Sequence, residues 1–310
     1  VGTPVIDVMT GGIMKILRVF PCRTSITPDD DLVVIGYPEL FTSPHDEVHI
    51  SCTFTWDMDY CENLKCAWEG HTKKPVLLGG PAYASPCNMH MPGVYTKKGV
   101  VFTSRGCNNN CPWCFVPKRE GKLKELPVLP GNIINDNNFL QCSQKHQSAV
   151  FDMLHSQRQV VFAGGLDCRL INSWFAERLA VLQAEHKVKT IFLACDTTAA
   201  LTPLQKAIST LIDGGFRVTR DNTHCYVLCY AKDIAEDEKR LRAVYEVGVM
   251  PRCQLYRAPE RVKTKYLPEI ERWARQWQRP AATRQHMEKG TSYNDYDAQW
   301  KAYDRTNYLF

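Results

Sequence analysis

The sequence predicts an α/β protein: a parallel (β/α)6 partial barrel preceded by a small three-layer α/β unit. Three observations predict it. Strand-like apolar runs recur roughly 24 to 36 residues apart over the larger part of the chain, the length of one βα unit. Apolar stripes at helical spacing fall between these runs. The 310 residues are 44% apolar and 23% charged, the balance of a globular chain rather than a disordered one.

Residues 1–13 precede Met14 and read as a leader, non-native or disordered. Residues 14–96 form the small α/β unit, a degenerate Rossmann-like element. Its strands are expected at Ile16–Phe20, Leu32–Ile35, Val48–Phe54 and Val76–Leu78, with a helix over 58–69 and a stop at Gly79-Gly80-Pro81. Residues 97–267 carry the barrel rhythm, with strands at Val100–Thr103, Asn132–Ile134, Val160–Ala163, Ile191–Ala194, Cys225–Tyr230 and Val249–Tyr256. Leu204, Ala207, Ile208, Leu211 and Ile212 make one helical stripe, stopped by Gly214-Gly215. Ile171, Trp174, Phe175 and Leu182 make a second, and Ile234, Leu241, Val244 and Tyr245 a third. After the first barrel strand Pro127 and Pro130 exclude a long helix. Residues 268–310 are expected to form a C-terminal helix and an aromatic-rich tail, whose Tyr293, Tyr296, Trp300, Tyr303, Tyr308 and Phe310 favour docking on the body.

Charge and cysteine content narrow the function classes. No apolar run reaches the roughly 18 to 20 residues that cross a bilayer, and no secretory leader pattern opens the chain, so neither membrane spanning nor export is expected. A net charge of +5 is too mild to call for nucleic acid, although it leaves an anionic substrate open. Fourteen cysteines in a chain long enough to bury a core point to the reducing cytoplasm, with most thiols packed as small hydrophobes and a few acting as ligands.

The ligand candidates stand together in Ser104-Arg105-Gly106-Cys107-Asn108-Asn109-Asn110-Cys111-Pro112-Trp113-Cys114, directly after a predicted strand. Three thiols at spacings x3 and x2 let one short loop curl around a cluster. Gly106 and the Asn triplet tolerate the backbone angles such a loop needs. Three ligands also differ from the four of a structural zinc or a fully ligated [4Fe–4S] cluster, leaving one iron open to a chelating molecule.

At Cys107, Cys111, Trp113 and Cys114 the sequence resembles the radical S-adenosylmethionine (SAM) superfamily, whose motif is C-x3-C-x-φ-C with an aromatic φ. The resemblance implies a [4Fe–4S] cluster on Cys107, Cys111 and Cys114 whose open iron chelates SAM. It further implies reductive cleavage of SAM to a 5′-deoxyadenosyl radical that abstracts hydrogen from an unidentified substrate, with flavodoxin or ferredoxin as electron donor. On the superfamily's pattern, polar groups at the strand ends contact SAM. Here these are Asp136 and Asn138 after the second strand, Gly164, Gly165 and Arg169 after the third, and Asp196 after the fourth. The Gly-Gly-Leu-Asp run ending at Asp167 is a second counterpart of the usual Gly-Gly-acid form. The catalytic residues acting on substrate are unknown.

Other features read more plainly. Cys168 and Cys195 lie near strand ends and are candidate hydrogen-atom donors, though buried packing is the better reading. Basic groups at Lys118, Arg119, Lys122 and Lys124, and at Arg257, Arg261, Lys263 and Lys265, read as solvated faces able to attract an anion. The amino-terminal unit looks like a shortened cobalamin-binding domain, but it lacks an Asp-x-His-x-x-Gly stretch, so no cobalamin is expected. The competing class is a non-catalytic zinc or iron–sulfur module that grips nucleic acid, its fourth ligand being His90 or His146.

Overall fold

The structure is a computed structural model that describes residues 5–6, 13–83, 93–258, 261 and 263–290. By compactness the chain divides into two units. The first comprises 1–137, 142–157 and 258–263, and the second 138–141, 158–257 and 264–310.

In the first unit β1 (Val5–Ile6) pairs antiparallel with β2 (Ile13–Met14), so part of the leader lies in a ribbon. Then β3 (Ile16–Phe20), β4 (Val33–Ile35), β5 (Glu47–Ser51) and β6 (Val76–Gly79) form a parallel sheet in the order β4-β3-β5-β6. Alternation along β3 and β5 turns Leu17, Val19, Val48 and Ile50 to one face. There they close on Cys61, Leu64 and Trp68 of α1 (Met58–His71), which share one helix face at i, i+3 and i+7.

The other face carries Arg18. Its buried guanidinium donates to the Val94 carbonyl at 2.7 Å and pairs with Asp30 at 2.5 Å, holding residues 93–94 across the sheet. The expected third layer of helix is replaced, among the described residues, by turns, bends and irregular chain. Pro21 and Pro28 in one connection, and Pro38 and Pro44 in the next, are the local reason.

Five further elements precede the second unit's strands: β7 (Val100–Val101), β8 (Ser104–Arg105), α2 (Val116–Glu120), β9 (Lys124–Glu125) and β10 (Ile133–Ile134). β10 pairs parallel with β7, and β8 pairs antiparallel with β9. The five-residue α2 ends at Gly121, whose φ of +78° turns the chain, so no long helix forms between β8 and β9. α3 (Gln144–Leu154) follows, its first turn capped by the Ser143 hydroxyl, which accepts from the His146 amide.

The second unit winds β11 (Val160–Asp167), α4 (Ser173–Ala184), β12 (Val188–Ala194), α5 (Leu201–Asp213), β13 (Thr223–Cys229), α6 (Ile234–Glu246) and β14 (Met250–Leu255). Its four strands pair in parallel and in sequence order. Together with β7 and β10 they make the six-stranded parallel sheet that the apolar rhythm predicts. Asn172 caps α4 and Asp233 caps α6, each accepting an amide three residues on. All five residues of the predicted 204–212 stripe lie on α5, with Leu204, Ala207, Ile208 and Leu211 buried and Ile212 exposed.

α7 (Pro268–Gln278) and α8 (Pro280–Lys289) complete the unit, so the expected C-terminal helix is a helix pair. Buried Glu238 on α6 accepts hydrogen bonds from Arg242 at 2.6 Å and from Trp273 of α7 at 3.2 Å. His286 of α8 lies 3.3 Å from the same carboxylate. The tail aromatics from Tyr293 onward lie outside the described residues. Among the described residues no helix is long and apolar enough to cross a membrane.

Candidate metal centre

The cysteine loop belongs to the first unit and is tied at its base. β8 enters it and β9 leaves it, paired Ser104 to Glu125 and Arg105 to Lys124. The Leu126 amide donates to the Thr103 carbonyl at 2.8 Å, and the Cys107 amide to the Gly121 carbonyl at 3.2 Å. Arg105 bridges to Glu120 at 2.8 Å. Inside the loop the Cys114 amide donates to the Cys111 carbonyl at 3.0 Å, and the Asn109 amide to the Cys107 sulfur at 3.4 Å. Amide donors of this kind stabilise negative charge on a ligating sulfur.

Gly106 takes φ +81°, and a Cβ there would lie 2.3 Å from the Lys122 carbonyl oxygen. The position admits glycine because the returning chain passes so close. Its amide donates to the Asn137 side chain at 3.1 Å.

Asp136 anchors the strand that feeds the loop. Its buried carboxylate accepts the Thr103 amide at 2.6 Å, the Thr103 hydroxyl at 2.6 Å and the Ser104 hydroxyl at 2.7 Å. Burial pushes this carboxyl above its ordinary range, while the hydrogen bonds from Thr103 and Ser104 pull it down. Asp136 and Asn137 thus clamp residues 103–106 from β10's end. Thr103, Glu120 and Asn137 are the partners that sequence reasoning missed; no spacing rule joins Glu120 to Arg105 15 residues away, or Asp136 and Asn137 to partners 33 and 31 residues away.

Exposure separates the motif thiols from the rest. Of the thirteen described cysteines eight are buried, Cys22 and Cys66 are exposed, and the three of intermediate exposure are Cys107, Cys111 and Cys114. Burial raises Cys142 to about 11 and Cys168 and Cys195 to about 12, so these thiols stay protonated at neutral pH. Among the described residues no group of three or more His, Cys, Asp or Glu side chains is drawn together to hold a metal ion. In donor type and accessibility the trio nonetheless suits an iron–sulfur cluster: three half-exposed soft donors on one loop.

The remaining site candidates lie in the second unit. Asn138 is buried there. Gly164 and Gly165 do not end their strand as the sequence suggests; β11 runs through them to Asp167 with a register shift between Phe162 and Leu166. A Cβ on Gly165 would lie 3.2 Å from the Ala194 Cβ, so the glycine serves close strand packing. Arg169 is exposed, and its forked donors engage Asp167 at 2.8 and 2.6 Å. Asp196 is half-buried just past β12.

His146 is buried on α3 with Nδ1 3.8 Å from Glu125, and His90 lies outside the described residues. Of the basic groups, Lys118, Lys122 and Lys124 are exposed, whereas Arg261 pairs with Asp59 at 2.6 Å and Arg257 with Glu271 at 3.7 Å. Comparison with family models, with curated proteins and with solved structures gives no match to this chain.

Proposed function

We propose that this chain is a radical SAM enzyme whose Cys107, Cys111 and Cys114 hold a [4Fe–4S] cluster. One observation carries the reading: the three thiols of the motif are the half-exposed ones, on a loop tied off immediately after a parallel strand, while most other described cysteines are sealed in the core. The sequential winding of β11 to β14 also supports a partial barrel over a doubly wound sheet.

Cys107, Cys111 and Cys114 would hold the cluster, which when bound together with SAM would supply one-electron reductive chemistry for hydrogen abstraction. The chain's own residues hold and place. Asp136 fixes Thr103 and Ser104, Gly106 lets the loop turn under Lys122, and Asn137 holds the Gly106 amide, so the cysteines leave a fixed stem. Asp136, Asn138, Gly164, Gly165, Arg169 and Asp196 are the SAM contacts proposed on the superfamily's pattern. Lys118, Lys122 and Lys124 favour an anionic substrate. The proposed setting is the cytoplasm, with flavodoxin or ferredoxin delivering electrons and no need for cobalamin.

The test is anaerobic reconstitution with iron and sulfide. A brown protein that converts SAM to 5′-deoxyadenosine under a strong reductant is expected. Alanine at Cys107, Cys111 or Cys114 should abolish both properties, and Cys66→Ala should leave both intact because that thiol is exposed and outside the loop. A folded chain that takes up zinc and refuses iron would overturn the reading.

A further inference from the structure

A second group of chemistry-bearing side chains lies in the first unit, on the sheet face opposite α1. Glu47 and His49 are two apart on β5 and therefore share a face. His49 Nε2 lies 2.8 Å from Glu47 Oε2, and His49 Nδ1 lies 2.5 Å from the Tyr95 hydroxyl. The histidine and tyrosine rings are nearly parallel, 7° apart with centroids at 6.0 Å.

An ionised carboxylate is acceptor-only, so Glu47 fixes the proton on Nε2 and leaves Nδ1 to accept the Tyr95 O–H. A hydroxyl on a base that a third group orients is the arrangement of an activated nucleophile. Packing holds it in place. Arg18, the register partner of His49, pins the carbonyls of Gly93 and Val94 just before Tyr95. All three relay side chains keep partial solvent exposure, and exposed Lys97 and Lys98 follow Tyr95 after the intervening Thr96.

We propose that Tyr95 is a nucleophilic tyrosine, activated by His49 and Glu47, that accepts an anionic phosphoryl group drawn in by Lys97 and Lys98. In the step the phenol oxygen forms a bond to phosphorus as the bond from phosphorus to its leaving group breaks. The phenol proton passes to His49 Nδ1, and the leaving group departs with the electron pair. Nothing in this step uses the cysteine loop.

Two probes test it on the full chain. An aryl sulfonyl fluoride reports nucleophilicity: oxygen bonds to sulfur, fluoride leaves and the proton goes to His49. Mapped by mass spectrometry, Tyr95 should be labelled at least tenfold faster than Tyr37 and Tyr60, which are 50% and 37% exposed and serve as internal references. His49→Gln and Glu47→Gln should each remove that advantage while labelling of Tyr37 and Tyr60 stays constant, which also reports that the variants remain folded. Cys66→Ala, at an exposed thiol outside the cysteine loop, should leave the labelling of Tyr95 unchanged. p-Nitrophenyl phosphate then tests the substrate class: phosphate on Tyr95 with release of p-nitrophenol is expected. If Tyr95 labels no faster than Tyr37, the relay is merely structural and the proposal fails; if it labels fast but takes no phosphate, the phosphoryl assignment fails.

Discussion

Asp136 receives both the amide and the hydroxyl of Thr103, each at 2.6 Å, across a gap of 33 positions in the chain. This double contact joins the ends of β7 and β10 and sets the direction in which the chain enters the cysteine loop. Removing it with Asp136→Ala strands three buried donors. A loss of about 2 to 5 kcal/mol is expected in urea unfolding, together with lower iron uptake on reconstitution.

The same carboxyl gives a pH signature. Burial raises its folded value above 3.8, so between those values the folded state holds the proton more tightly than the unfolded state. Its contribution to stability therefore falls as pH rises from below 3.8 through the raised folded value. Asp136→Asn does not titrate, so the stability of the wild type minus that of this variant should decline over that window. A difference that is flat with pH would contradict the assignment.

Gly106→Ala introduces a methyl group 2.3 Å from a backbone oxygen at a positive φ. The strain is expected to exceed about 1 to 3 kcal/mol and to open the base of the loop. Thermal unfolding and bound iron per chain should fall together. Gly248→Ala is the comparison: its φ is also positive, at +93°, but no atom lies within 4 Å of the added carbon, so iron binding should survive.

His224 gives a signature of the opposite sign in the second unit. Burial, then the nearby Arg252 charge, lowers it to about 4 from 6.5. A depressed base binds fewer protons when folded, so stability present at pH 7 is lost as pH falls from 6.5 toward 4. The whole effect is at most on the order of 3 kcal/mol. His224→Gln should flatten that limb of the stability curve in calorimetry from pH 7 to pH 4.

Glu238 holds the α7–α8 pair to α6. Burial raises its carboxyl, but hydrogen bonds from His286 and Arg242 outweigh that and leave it below the ordinary range. Glu238→Ala leaves Arg242 and His286 without their acceptor and should cost about 3 to 5 kcal/mol, while Glu238→Gln should cost less. Chemical unfolding followed by tryptophan fluorescence reports it directly, since Trp273 donates to the same carboxylate.

The repeating units were legible because their signals are local. Each strand of the second unit is a short apolar run, and Asn172 and Asp233 announce the helices that follow them. Gly164 and Gly165 misled for a local reason as well, since glycine commonly ends a strand, whereas here it lets β11 approach Ala194. Arg169 read as facing a ligand because its fork suits a carboxylate; the carboxylate it meets is two residues away, in Asp167. The Asp136 clamp and the meeting of His49 with Tyr95 escaped altogether. Both join residues tens of positions apart whose identities say nothing about one another until the sheets are built.

The pairing of β8 with β9 has a practical consequence. Because the segment between them starts and finishes at neighbouring points, its interior is a cassette that tolerates extra residues at little entropic expense, as closure varies only slowly with length. Lengthening the stretch between Cys107 and Cys111 would thus change the spacing of those two thiols while β8 and β9 keep their pairing, making this hairpin the natural place to engineer the protein.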